Sequence, residues 1–136
     1  MTRYQQLRHA IARLASPADA QIDWLKNQFR TLPPFEWEEN ELSNDELVLT
    51  FHDIFLAVGH MQGYGEISQS EIDVVRPIDD LFADISAGNT PSFWECRALR
   101  DDDRWEYVRT LARQALASLP DEERASDWMK DYPIGS

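Results

Sequence analysis

The longest run of apolar positions lies between Ser43 and Gln62, and these positions fall on nearly every side of a helical wheel. A helix that is apolar on most of its circumference is typical of a protein interior. With His52 and Asp53 inside it, the run is too polar and too short to span a bilayer. We therefore expect a buried central helix over residues 44–62. Its predicted core positions are Leu47, Phe51, Ile54, Phe55 and Val58.

Apolar residues recur every three or four positions in the rest of the chain, which indicates amphipathic helices. Ser43 with Glu46 and Ser68 with Glu71 fit the capping box that opens a helix. Ser16 and Thr90, each followed by proline, fit an N-cap with proline at the first helical position. The predicted helices lie near residues 3–15, 17–31, 44–62, 69–87, 91–99, 102–119 and 121–131.

Prolines and glycines mark where these helices end or bend. Pro33 and Pro34 stop the second helix because neither residue offers a backbone N–H. Gly63 and Gly65 close the central one. Pro77 lies inside the fourth periodic run, so we expect a kink or a break around residues 75–76.

The length and the pattern together predict one fold class. A chain of 136 residues can bury one core without disulfides or a metal. No segment repeats at a fixed period, which excludes a solenoid. We predict an all-α fold, with residues 1–136 forming a single domain. It is a bundle of five to seven orthogonal or antiparallel helices around the central one.

The charge of the chain narrows the choice of partner. Twenty-five acidic residues against thirteen basic ones give a net charge of −12, and residues 1–32 hold more basic than acidic side chains. Such a field opposes direct binding to nucleic acid or to an anionic membrane and favours a basic protein. The N-terminus has no apolar signal segment, so we expect a cytoplasmic protein.

Candidate catalytic and metal-binding residues are few. His52 and Asp53 are sequence neighbours that point about a hundred degrees apart on a helix, which is poor spacing for acid–base work. His60 lies too far along the same helix to share a metal ion with His52. Cys96 is the only cysteine, so we expect a buried, unreactive thiol. We predict no cofactor, no metal and no enzymatic activity; a small enzyme using His52 and Asp53 is the less favoured alternative.

The segment between Pro34 and Ser43 alternates large aromatic residues with acids. One aromatic residue could simply fill the bundle. A proline-stiffened segment of this kind nevertheless combines an apolar anchor with a charged rim, as binding hot spots do. Its predicted partner-binding residues are Phe35, Glu36, Trp37, Glu38, Glu39 and Glu41. Acids on later helices are predicted to extend this surface: Asp79, Asp80, Asp84, Asp101, Asp102 and Asp103.

A small, acidic helical chain without catalytic residues resembles bacterial immunity proteins, which neutralise toxin domains delivered in competition between bacteria. The residues that carry the resemblance are those at 36–39 and the acids within 73–84 and 101–103. The resemblance implies stoichiometric inhibition of a toxin, often a basic nuclease, by a monomer or weak dimer that covers its active site or an adjacent surface. A phage-encoded anti-defence inhibitor, a nucleic-acid mimic and a helical adaptor are the alternatives.

Overall fold

A computed structural model of the chain describes residues 2–28 and 43–120. Helix is the regular secondary structure throughout these residues, and no strand is formed in them beyond one isolated antiparallel bridge between Ser43 and Glu95. The all-α prediction is therefore confirmed. In chain order the elements are α1 (Arg3–Ala15), α2 (Ala18–Gln28), α3 (Asp45–Phe55), α4 (Val58–Gly63), α5 (Gln69–Ala87), a 3₁₀ helix (Pro91–Trp94), α6 (Ala98–Asp101) and α7 (Asp103–Ser118).

The predicted buried stripes of α1, α5 and α7 are largely confirmed. Tyr4, Leu7, Ile11 and Leu14 of α1 are all buried. The apolar positions of α5 and α7 also face one core, with Leu81, Leu111 and Leu116 at its edge. Within the described residues, α7 packs mainly against α1 and α5, and α3 packs mainly against α1.

The predicted helix over 44–62 is two helices. Leu56 and Ala57 form a turn between α3 and α4, in which the Ala57 N–H donates to the Ile54 carbonyl three residues earlier. Val58, a predicted core position, is buried, whereas Leu56 in the turn is 68% exposed. The expectation of burial on all sides is wrong for this segment, because Leu49 is also 47% exposed.

Two further helix predictions change in detail. Helix α5 continues through Pro77 without a break, since Pro77 and Asp73 are both exposed and water can bind the carbonyl that Pro77 leaves unpaired. The single helix predicted over 91–99 is the 3₁₀ helix followed by α6. The predicted ends at 29–31 and the helix near 121–131 lie outside the described residues.

Two predicted helix starts agree with the structure and two differ. Thr90 is the N-cap of the 3₁₀ helix and is followed by Pro91 at the helix start, although the Thr90 side chain forms no capping hydrogen bond. Ser68 and Glu71 form the predicted capping box of α5. The box predicted at Ser43 is absent, because Asn44 occupies the N-cap position of α3 and Ser43 instead donates to the Trp94 carbonyl. Ser16 ends α1 rather than capping α2, and its hydroxyl donates to the Ala12 carbonyl.

An aromatic cluster forms one side of the core. Phe51 stacks on Phe55 with ring centroids 5.7 Å apart, and its edge meets Phe82 at 6.2 Å. Phe82 in turn contacts Phe93 and Trp105, which stack on each other at 4.7 Å. These rings link α3, α5, the 3₁₀ helix and α7. Large aromatic side chains in contact contribute strongly to rigidity as well as to stability.

In the parts of the chain given by residues 2–28 and 43–120, no helix has both the length and the apolar character needed to cross a membrane.

Candidate functional site

A cleft of about 440 Å³ lies between α3 and α5 and is bounded at one end by the 3₁₀ helix. The two helices run antiparallel along it: His52 pairs with Asp79, and further on the Arg76 guanidinium lies 5.6 Å from the Phe55 ring centroid. This volume is within the range of ligand pockets. The lining residues are Asp45, Val48, Leu49, His52, Asp79, Phe82, Ala83, Ser86 and Trp94.

The floor and walls of the cleft are mostly apolar. Phe82 joins this floor to the aromatic cluster beneath, so the cleft rests on a packed part of the core. Val48 is buried, whereas Leu49 is about half exposed and is therefore available for contact. An exposed leucine beside a concave apolar surface is a feature of protein-binding sites.

Asn44 holds one end of the cleft in place. Its side-chain amide is fully buried and donates to the carbonyls of Phe93 (2.7 Å) and Glu95 (2.9 Å), and its backbone N–H donates to the Trp94 carbonyl (3.0 Å). The Trp105 indole donates to the same Phe93 carbonyl. These bonds fix the start of α3 against the 3₁₀ helix, so Asp45 and Trp94 come together at one end of the cleft.

His52 and Asp79 form the polar pair further along the cleft. The Nδ1–H of His52 donates to Oδ1 of Asp79 at 2.8 Å, and the two side chains are 44% and 22% exposed. A histidine oriented by a carboxylate keeps its other ring nitrogen for a further hydrogen bond. Sequence reasoning missed this pair because the two residues lie on different helices, and it considered Asp53 instead.

The charged groups that line the cleft are acidic. Asp45 and Asp79 contribute carboxylates, whereas no lysine or arginine is among the described residues that line the cleft. Within residues 2–28 and 43–120, the Asp45 carboxylate forms no ion pair. An unneutralised carboxylate beside an apolar wall attracts a cationic group that has an apolar stem.

The structure separates the predicted acidic residues. Asp79 lines the cleft, and Asp80 and Asp84 are exposed on α5 outside its lining. Asp101 ends α6 and Asp103 begins α7, both exposed and away from the cleft lining. The aromatic and acidic connector, residues 35–39 and Glu41, lies outside the described residues.

Asp102 has a structural role at the start of α7. Its carboxylate accepts from the Arg104 backbone N–H (2.9 Å) and from the Arg104 guanidinium (2.6 Å). The Arg104 side-chain hydrogen bond is the main cause that lowers the pKa of the Asp102 carboxyl, and the same bond raises the pKa of Arg104. Both groups are therefore already satisfied within the fold.

A second cleft of about 410 Å³ lies beside the start of α2 and is lined by Arg100, Arg109 and Arg113. Its guanidinium groups are engaged by acids of the chain itself. Arg100 pairs with Asp19, and Arg109 and Arg113 lie 3.1 and 3.7 Å from Glu106. This arrangement stabilises the packing of α2 against α6 and α7 and offers less to a ligand than the cleft between α3 and α5.

The described residues form no metal-binding cluster and place no cysteine in the lining of the cleft. They contain no group of three or more histidine, cysteine or acidic side chains placed to hold a metal ion. Cys96 is buried, as predicted, and neither it nor Asp53 lines the cleft that contains His52.

The chain matches no protein-family model, no curated protein and no solved structure.

Proposed function

We propose that this protein is a non-catalytic inhibitor of the immunity type, which binds a basic partner protein in the cleft between α3 and α5. The observation that carries the proposal is the composition of that cleft. It combines an apolar floor, a half-exposed leucine and two carboxylates, and the described residues of its lining include no lysine or arginine. A basic toxin domain, such as a nuclease, is complementary in charge to this surface. The proposed compartment is the cytoplasm.

Long-range charge and local packing are proposed to control different rates of binding. The net charge of −12 accelerates encounter with a basic protein, because electrostatic steering acts on the association rate. The apolar side chains at the cleft act on residence time, since desolvated packing chiefly controls dissociation. Leu49 and Trp94 are the residues with apolar surface at the cleft rim.

The partner is best found by affinity capture with the full chain from its native host, followed by purification of the partner. Surface kinetics at two salt concentrations then compare Asp45→Asn with Asp80→Asn. Both changes remove one carboxylate from an exposed helical position, but only Asp45 lines the cleft. Because both lower the field by one charge, both should slow association slightly.

The expected difference lies in dissociation. Asp45→Asn should speed it by about fivefold, since a carboxylate paired at an interface is worth about 1 kcal/mol or more. Asp80→Asn should leave dissociation unchanged. If the two variants dissociate alike, the cleft is not the site of contact. If association is also indifferent to salt, the partner is not held by charge and the basic-toxin proposal fails.

A small enzyme is the second candidate, and the His52–Asp79 pair is the observation that favours it. A carboxylate that orients a histidine beside a cleft is the arrangement of a general base. The enzyme ranks second because, among the described residues that line the cleft, Ser86 is the one hydroxyl, two helical turns from Asp79, and none carries a thiol or an amine. Catalytic turnover by the wild type that His52→Gln abolishes would favour an enzyme.

A phage-encoded anti-defence inhibitor, a nucleic-acid mimic and a helical adaptor would use the same acidic cleft. The identity of the captured partner separates them: a toxin domain favours immunity, a host defence nuclease favours anti-defence, and a non-toxic assembly component favours an adaptor.

A further inference from the structure

We infer that the cleft between α3 and α5 holds an arginine side chain, with its guanidinium between Asp45 and Trp94 and its stem along the apolar floor. This inference rests on the proposed function only in that the partner supplies the arginine. The recognition chemistry itself is read from the residues that line the cleft, and it can be tested without any partner.

The end of the cleft at the 3₁₀ helix is suited to a planar cation. Asp45 offers two carboxylate oxygens and forms no ion pair with another described residue. Trp94 lines the same end and is only partly buried, with its ring perpendicular to Phe93 at 5.0 Å. Among aromatic side chains, tryptophan binds cations most strongly. A carboxylate can accept two parallel N–H bonds from a guanidinium.

The positions of both groups are set by the fold. The buried Asn44 amide ties the residue before Asp45 to the carbonyls of Phe93 and Glu95, on either side of Trp94. Asp45 and Trp94 are thus held together before any ligand arrives. Such preorganisation lowers the cost of binding.

The remaining length of the cleft suits an alkyl stem. Asp45 and His52 are seven positions apart in α3, which corresponds to about 10 Å along the helix axis. Val48, Phe82 and Ala83 line the space between them. A long side chain can lie on this floor and keep its charged head at Asp45, as lysine and arginine stems do on apolar surfaces.

Arginine fits better than lysine for two reasons. A guanidinium is more weakly hydrated than an ammonium, so it loses less when it enters a partly apolar cleft. It is also planar, so it can stack on Trp94 and pair side-on with Asp45 at the same time. The chain's own neighbouring arginines are engaged elsewhere, Arg97 with Glu95 and Arg104 with Asp102.

The test uses three small probes that share one stem: butylguanidinium, butylammonium and the uncharged butylurea. Each is titrated into the full ¹⁵N-labelled chain while amide and indole NMR signals are followed. Butylguanidinium should shift the Trp94 indole and the amides of Asp45 and Leu49. It should bind at least about threefold more tightly than butylammonium, because a guanidinium is more weakly hydrated and pairs side-on with a carboxylate, and butylurea should bind most weakly.

Variants assign the effect to the two groups. Asp45→Asn and Trp94→Leu should each weaken butylguanidinium by about threefold or more, whereas Asp103→Asn, an exposed acid outside the cleft lining, should leave it unchanged. A far-ultraviolet circular dichroism spectrum and a melting curve show whether each variant is folded. If Trp94→Leu does not fold, the binding of butylguanidinium to Asp45→Asn alone tests the arginine assignment.

Equal binding of all three probes, or shifts located outside the cleft, would overturn the arginine assignment. That outcome is distinct from failure of the proposed function. If butylguanidinium does not bind but Asp45→Asn still speeds dissociation of the partner, the cleft is the interface and its occupant is another residue. If butylguanidinium binds but partner dissociation is unaffected, the site is real and the inhibitor proposal is wrong.

Discussion

The side-chain carbonyl of Gln21 in α2 accepts two hydrogen bonds from the guanidinium of Arg109 in α7, from Nε at 3.2 Å and from Nη2 at 3.0 Å. Both residues are buried, at 0% and 5% exposure. Arg109 also donates to the Leu99 carbonyl, and the Gln21 amide donates to the carbonyls of Arg13 and Leu14 at the end of α1. One polar contact therefore connects four helices.

Gln21→Ala should lower the free energy of unfolding by about 2–4 kcal/mol, because it removes hydrogen bonds to a buried charge and the bond that the Gln21 amide donates to the Leu14 carbonyl. Urea denaturation measures the change. Gln28→Ala, at an exposed position of the same helix, is the control and should stay within about 0.5 kcal/mol.

A double-mutant cycle tests the pair directly. Gln21→Ala, Arg109→Leu and the double variant should give a coupling of about 1–3 kcal/mol. Additive effects would show that the two residues stabilise the fold independently and that their contact has no energetic weight.

Phe51→Ala should cost about 3–5 kcal/mol, since Phe51 is fully buried and stacked in the aromatic cluster. Leu56→Ala, in the turn that follows α3, should cost less than about 0.5 kcal/mol because Leu56 is largely exposed. A near-zero effect at Phe51 would place the core elsewhere.

Asn44→Ala should destabilise the protein by about 1–3 kcal/mol, because it removes the two hydrogen bonds that the buried Asn44 amide donates to the Phe93 and Glu95 carbonyls. It should also move the Trp94 indole signal in an NMR spectrum, since Asn44 holds that segment against α3. A destabilised variant with an unmoved Trp94 signal would contradict the positioning role and leave only a structural one.

The Asp102–Arg104 contact predicts a pH dependence of stability. The pKa of Asp102 is lowered in the folded state, so its contribution is present above the ordinary aspartate pKa of about 3.9 and is lost as the pH falls through the lowered value. Asparagine is an equally good N-cap residue, so Asp102→Asn removes mainly the charge.

The stability difference between the wild type and Asp102→Asn should therefore be largest near pH 7 and shrink steadily below about pH 4. Urea unfolding at several pH values measures it, with Asp101→Asn, an exposed acid one position earlier, as the control. A difference that grows toward acid pH would reverse the assigned sign.

The sequence predicts local periodicity well and contacts between distant residues poorly. The stripe of α1 and the capping box at Ser68 depend on neighbours within a turn, so they could be read from the chain. The break after Phe55 could not, because neither Leu56 nor Ala57 is a helix breaker. The buried pair of Gln21 and Arg109 could not be predicted from the sequence either, since polar side chains are buried only when a distant partner satisfies them.

The candidate site depends on such distant contacts. The sequence indicates His52 as a candidate catalytic residue, but its partner Asp79 lies on α5, 27 positions away. The role of Asn44 in fixing the end of the cleft depends on carbonyl groups about fifty residues further along the chain, so local sequence could not reveal it. Of the predicted partner-binding acids that lie within residues 43–120, Asp79 is the one that the structure places in the cleft.

The claim that the cleft is the binding face is tested most directly by the dissociation rate of the complex with the captured partner. The comparison is between Leu49→Ala and Leu56→Ala, two exposed leucines seven positions apart of which only Leu49 lines the cleft. Leu49→Ala should speed dissociation by about fivefold, the equivalent of about 1 kcal/mol of lost packing, while Leu56→Ala should leave the rate within twofold (~0.4 kcal/mol) of the wild type. Equal rates for the two variants, or a larger effect at Leu56, would contradict the assignment of the cleft as the interface.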